Sequence, residues 1–170
     1  MAKKPKEFAP PICPYCNKPA ELRTGRQVYP HRGDLWDKAI WVCEPCGARC
    51  GCHGKTTEPL GVPARADLRD ARMKLHNEKL DPLWQKAVVT GGYEPEDQRA
   101  RAIITRTARS RVYAFLADRM GLTKDQTHTA LFDLEQCRAA WRALSGVTYP
   151  EIRDWAKARK AAAEAAKEAA

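Results

Sequence analysis

Cys13-Pro-Tyr-Cys16 and Cys43-Glu-Pro-Cys46 decide how this chain is read. Two cysteines three positions apart grip one side of a tetrahedral metal, and a second such pair closes the cage. The segment between them, residues 17 to 42, is long enough for a small antiparallel hairpin that brings the pairs together. Asn17 follows the first pair and Gly47 the second. Both residue types tolerate the left-handed backbone of a tight turn whose N–H groups face metal-bound sulfur. Pro14 and Pro45 stiffen the two turns. Four thiolates leave no open coordination position for chemistry, so the spacing predicts one structural Zn2+ held by Cys13, Cys16, Cys43 and Cys46.

Outward from the pairs, Glu21 to Tyr29 reads as a strand around a break at Thr24-Gly25, and Lys38 to Cys43 as the strand entering the second knuckle. The unit expected is zinc-ribbon-like. The second knuckle runs on into Cys50-Gly-Cys52-His53, where three readings stay open. Cys52 or His53 replaces a ligand, or they build a second site with His31 or His76, or they are a packed thiol and a satisfied histidine; packing is preferred. Tyr15, Tyr29, Trp36 and Trp41 alternate with Arg23, Arg26, Arg32, Lys38 and Arg49. Such interleaving suits bases and phosphates, though tryptophan also supplies the bulk a minimal ribbon needs. Arg26, Arg32 and Arg49 are the candidate contacts here.

Composition sets the wider bounds. The 170 residues are 44 % apolar and 30 % charged, with a mean hydropathy of -0.61. No apolar run reaches the roughly 18 residues of a membrane span, and the lysine-rich start lacks the apolar stretch of a secretory leader. Seven cysteines, an odd number, do not suit a closed disulfide framework and favour a reducing compartment. The formal net charge of +9 biases the chain toward polyanions, nucleic acid or an acidic protein. Gly54-Lys55-Thr56 is not a phosphate-binding loop, because Arg49 stands where the upstream glycine is required.

From Arg65 onward the periodicity is helical. Leu68, Ala71, Leu75 and Lys79 trace one side, Asp81-Pro82 predicts a break or restart, and His76 reads as a hydrogen-bonded packing residue. Gly91-Gly92 and Pro95 mark an internal boundary. Asp97 to Arg119 predicts a long amphipathic helix buried along Ile104, Ala108, Val112, Phe115 and Leu116, and Gly121 sits at its C-cap. Thr123 with Gln126, and Asp133 with Gln136, have capping-box spacing, and Leu134, Cys137, Trp141 and Leu144 predict a second buried stripe. The corner between these helices is a candidate helix-turn-helix. Arg99, Arg106 and Arg109 on the first helix and Lys124 at the start of the second are its phosphate contacts. The alanine- and lysine-rich end reads as an exposed helix or tail.

The fold class expected is therefore α+β: a small zinc-ribbon-like β module followed by an all-α helical domain. Its parts are a basic arm over 1–11, the metal module over 12–60, a helical connector over 61–90, a helical domain over 91–150 and a terminal helix or tail over 151–170.

Cys-Pro-Tyr-Cys-Asn-Lys-Pro-Ala at 13 to 20, Tyr29-Pro-His-Arg, Trp41-Val-Cys-Glu-Pro-Cys, Gly51-Cys-His-Gly, Pro59-Leu-Gly and Asp81-Pro-Leu-Trp84 follow one another in order. Together they resemble a family of uncharacterised zinc-finger-containing proteins of bacteriophages and prophages. The resemblance implies zinc at the four cysteines, adds weight to Cys52 and His53, and brings no activity. It also implies a bacterial host cytoplasm. The function expected is a zinc-binding regulatory or accessory protein that engages DNA, RNA or a host nucleic-acid machine such as RNA polymerase. The alternative is a protein-interaction factor that inhibits or redirects a host or defence complex. A metal-dependent nuclease using His31, Asp34 and His53 is the disfavoured enzyme reading.

Overall fold

Residues 8–168 are described by the computed structural model, which separates after Asp70 into two units. Most of the expected basic arm, residues 1 to 7, lies outside the described residues.

In the first unit three strands, β1 (Glu21–Thr24), β2 (Ala39–Cys43) and β3 (Ala48–Gly51), form an antiparallel sheet in chain order. Leu22 lies opposite Trp41, Trp41 opposite Cys50, and Cys43 opposite Ala48. β1 is shorter than its sequence suggests. The Thr24 side chain accepts from the Gln27 N–H, and the Gln27 side chain answers to the Thr24 N–H at 2.8 Å. This reciprocal cap starts a one-turn helix, α1 (Gly25–Val28), in place of more strand. Gly25 is required by close approach: its N–H donates to Lys38 O at 2.7 Å, and a Cβ would sit 1.7 Å from Leu35 O.

A 3-10 turn, Gly33–Leu35, then leads to Trp36, whose indole donates to Pro30 O at 3.1 Å and which stays 41 % exposed. The core is thin: Ile40, Trp41 and Leu68 are its large apolar side chains, Pro63, Ala20 and Ala64 are buried beside them in the same unit, and Ala48 packs with the buried Cys13 and Cys43. Trp41 is fixed by its indole N–H, which donates to Thr57 O at 2.9 Å.

α2 (Ala66–Leu75) spans the division between the units. In the second unit, α3 (Asp81–Gln85), α4 (Ala87–Thr90), α6 (Leu134–Leu144) and α7 (Tyr149–Glu168) pack on the long α5 (Gln98–Met120). The expected break at Asp81-Pro82 is a π turn over His76–Leu80. Pro82 has no N–H to offer the preceding turn, and Asp81 N–H reaches back five residues to His76 O, so the chain stays helical through the proline.

α5 begins at Asp97, whose carboxylate accepts from Ala100 N–H. It ends at Gly121 (φ 63°), where Leu122 N–H returns to Ala117 O at 2.9 Å and Gly121 N–H to Asp118 O at 3.2 Å, the paired bonds of a glycine-terminated helix. Its buried side is Ala108, Val112, Phe115, Leu116 and Ala117. These meet Leu75, Leu80, Phe132, Leu144, Tyr149 and Ile152 in a core much larger than that of the first unit.

Two expectations are corrected. Thr123 and Gln126 do cap each other, at 2.9 and 3.3 Å, yet residues 123–127 only turn, and the next α-helix starts at Leu134. The short corner of a helix-turn-helix is not made, because the second capping box, Asp133 with Gln136, is the one that nucleates α6. Within α6, Cys137, Ala140 and Leu144 are buried, whereas Trp141 is half-buried with the Lys79 ammonium 4.6 Å from its ring.

Candidate metal centre and basic surfaces

Both knuckles make the same turn. Asn17 N–H donates to Cys13 O at 2.9 Å and Gly47 N–H to Cys43 O at 2.8 Å, with φ of 57° and 62° at Asn17 and Gly47. The left-handed residue reverses the chain just after each cysteine pair, leaving the sulfurs to converge. The Sγ atoms of Cys13, Cys16, Cys43 and Cys46 all lie within 4.8 Å of one another, and those of Cys16 and Cys43 are 3.4 Å apart. A tetrahedron with Zn–S bonds of about 2.3 Å has edges of about 3.8 Å. Cys13 and Cys43 are buried and Cys16 and Cys46 half-buried.

Proton affinity is unevenly divided in this cage. The Lys18 N–H, and then the Cys46 thiol, lower Cys16 to about 7. Burial, and then hydrogen bonding to Cys16, push Cys43 up to about 12. Cys46 is raised by hydrogen bonding to Cys16 and by burial, against the Arg65 guanidinium, which lowers it. Four thiolates cannot share this space unaided. A dication that replaces their protons resolves the conflict. Donor set, spacing and burial thus fit a single structural Zn2+.

Arg65 has no local sequence signal as part of this site. Its guanidinium stacks 4.4 Å from the ring centre of Tyr15, inside the first knuckle, while its backbone N–H donates to Tyr15 Oη at 3.3 Å. It stands 50 positions along the chain from Tyr15.

Cys52 and His53 stand outside the cluster. Among the described residues, no other group of three or more His, Cys, Asp or Glu side chains is gathered closely enough to hold a metal. Cys52 pairs through its backbone with Pro59, and burial raises its thiol. The backbone of His53 closes a turn with Thr56 and Glu58. The nuclease grouping of His31, Asp34 and His53 is not assembled: Asp34 accepts both arms of the Arg32 fork, at 2.8 and 2.7 Å, which holds its carboxyl below the usual range. His76 bonds through Nδ1 to Asp81 Oδ1 (3.3 Å) and through Nε2 to Thr129 Oγ1 (2.6 Å), and the Trp84 indole donates to the same Asp81 oxygen at 3.0 Å. It is a packing histidine. Burial also raises the Cys137 thiol.

The basic residues fall into two kinds of place. In the first unit Arg26 lies over Trp36 at 5.1 Å and Arg49 over Tyr29 at 4.5 Å, and Arg32 is spent on Asp34. In the second unit Arg99, Arg101, Arg106 and Arg109 are exposed along α5 and form no carboxylate ion pair among the described residues. Arg109 is 5.6 Å from the Trp84 ring centre and 5.7 Å from that of Tyr113. Lys124 is exposed in the turn that follows α5.

A cage of sulfurs built from two matching knuckles on a three-stranded sheet, ahead of a multi-helix region, defines a zinc-binding protein. Residues 9–147 match a family described as a zinc-finger-containing domain (DUF3268), and the chain belongs to that family. No curated protein and no solved structure matches it. No helix among the described residues is long and apolar enough to cross a membrane.

Proposed function

We propose that this is a zinc-stabilised accessory protein that engages nucleic acid, or a machine built on it, through the outer face of α5. The zinc-bearing unit supplies structure and the arginines supply contact. One observation carries the reading: the exposed quartet Arg99, Arg101, Arg106 and Arg109, on a helix whose one carboxylate is Asp118. Exposed guanidinium groups without a carboxylate partner on a rigid helix suit phosphates, because the helix orders them before binding. Lys124 extends the patch beyond the end of α5. Arg26 and Arg49, each stacked on an aromatic ring, are secondary contacts on the zinc-bearing unit. A phage origin, which the sequence resemblance implies, makes host RNA polymerase in the bacterial cytoplasm a candidate machine.

The protein-interaction alternative draws on Trp36, an exposed tryptophan capped by Arg26; there the partner is a host or defence complex that the protein inhibits or redirects.

The test is fluorescence anisotropy of labelled single- and double-stranded oligonucleotides across a salt series. Four phosphate contacts predict a log–log slope of about -3 for single strands and about -4 for duplex. The double variant Arg99→Glu/Arg101→Glu flattens the slope. Affinity that does not change with salt refutes the proposal.

A further inference from the structure

The second unit contains a groove that nucleic-acid binding does not explain. It has a volume of about 1030 Å3 and runs between α5, the turn after Gly121, and α7. Its floor is apolar and shallow: Ala114, Ala117 and Leu122 from one side, Trp155, Ala156 and Ala163 from the other. Its rim is cationic, with Arg106, Arg109, Lys124, Arg159 and Lys160. The lining holds one carboxylate, Asp118, which already pairs with Arg159 and accepts the Trp155 indole N–H at 3.2 Å.

We propose that this groove docks an acidic amphipathic helix of a partner protein. Alanines on both helices let a third helix approach to roughly 8–10 Å, the spacing of packed helices. Its apolar stripe would lie on the alanine and leucine floor and its carboxylates would meet Arg106, Arg109 and Lys124, since Arg159 and Lys160 already pair with Asp118 and Glu164; this is the arrangement of helix-in-groove recognition. A base stack is a poorer occupant. The aromatic rings here are already engaged, Trp155 by Arg159 at 5.5 Å and edge-on by Phe115 at 5.3 Å, Tyr113 by Arg109 at 5.7 Å. The chain's own first seven residues have the wrong sign, with Lys3, Lys4 and Lys6 against Glu7, and a second copy carries the same net charge of +9.

Arg106, Arg109 and Lys124 belong to both the phosphate face and the groove, so an acidic helix and an oligonucleotide compete for them. Outside that overlap the two surfaces can be tested apart. Zinc-loaded full-length protein is titrated with a labelled synthetic helix bearing leucines on one face and glutamates on the other. A scrambled peptide of the same composition and a single-stranded oligonucleotide run in parallel. Ala114 and Lys124 are exposed, and circular dichroism checks that their variants stay folded.

The expected result is binding of the amphipathic peptide and not the scrambled one. Ala114→Trp, which fills the groove, and Lys124→Glu each weaken it by about tenfold or more. Arg99→Glu/Arg101→Glu weakens the oligonucleotide and leaves the peptide within about twofold of the parent. Equal binding of both peptides, no peptide binding, or indifference to Ala114→Trp and Lys124→Glu overturns the proposal. So does a homodimer by light scattering that Ala114→Trp dissolves, since the occupant is then a second copy. Loss of oligonucleotide binding alone refutes the nucleic-acid function and leaves the groove standing.

Discussion

Removing the metal is the perturbation with the largest expected effect, and it should act on one unit. The first unit buries three large apolar side chains, Ile40, Trp41 and Leu68, and beyond them little more than Pro63, alanines and sulfur. At about 1.5–3 kcal/mol for each such side chain, they supply about 5–9 kcal/mol. A structural zinc site of this type contributes about 10–16 kcal/mol near neutral pH. The metal outweighs the apolar core, and without it the strands have too little to offset their ordering cost. The second unit keeps its own core of Leu75, Leu80, Val112, Phe115, Leu116, Phe132 and Ile152.

The assay is hydrogen exchange read by mass spectrometry, before and after a strong chelator, with released zinc measured by an indicator dye. Amides of β1, β2 and β3 should lose protection while those of α5 and α6 keep it. Cys43→Ser should reproduce the effect without chelator. If stoichiometric zinc leaves and the strand amides remain protected, the sulfur cage is not what holds this unit. Freshly purified protein without zinc refutes the reasoning equally.

Other perturbations separate the remaining devices. Gly25→Ala places a methyl 1.7 Å from Leu35 O; it should cost about 3 kcal/mol or more and show as lost protection in β1 and β2. Thr129→Val leaves His76 Nε2 without its 2.6 Å partner, and the urea midpoint should fall by the equivalent of about 1–3 kcal/mol. Glu151 caps α7, accepting from Thr148 N–H at 2.7 Å and from the Thr148 hydroxyl at 2.8 Å, and these bonds hold its carboxyl below the usual 4.5. A depressed carboxylate pKa stabilises fully above the unfolded value, and that contribution is lost as pH falls through the folded value. Thermal midpoints of the parent and Glu151→Gln should therefore differ most near neutral pH and converge in acid; a constant gap refutes the assignment.

The metal site was legible because its information is local. Each cysteine pair spans four residues and carries its turn residue, Asn17 or Gly47, immediately behind it. The helix stripes of α5 were legible for the same reason, since apolar spacing and the Gly121 stop act within one element. The helix-turn-helix failed where two capping boxes ten positions apart competed. Spacing gives both the same weight, but packing of Cys137, Ala140 and Leu144 favours the box that starts at Asp133.

By itself, then, the sequence determined the four-sulfur donor set, the order of a small β unit before a helical one, and the excess of positive charge. Tertiary structure alone decided that Arg65 stacks on Tyr15 in the first knuckle, that Cys52 and His53 stand apart from the cage, and that five cations line one groove. The reason is physical. Knuckles, caps and amphipathic stripes arise among near neighbours along the chain, whereas a guanidinium on a distant aromatic ring or a groove between two helices exists only once the chain has closed on itself.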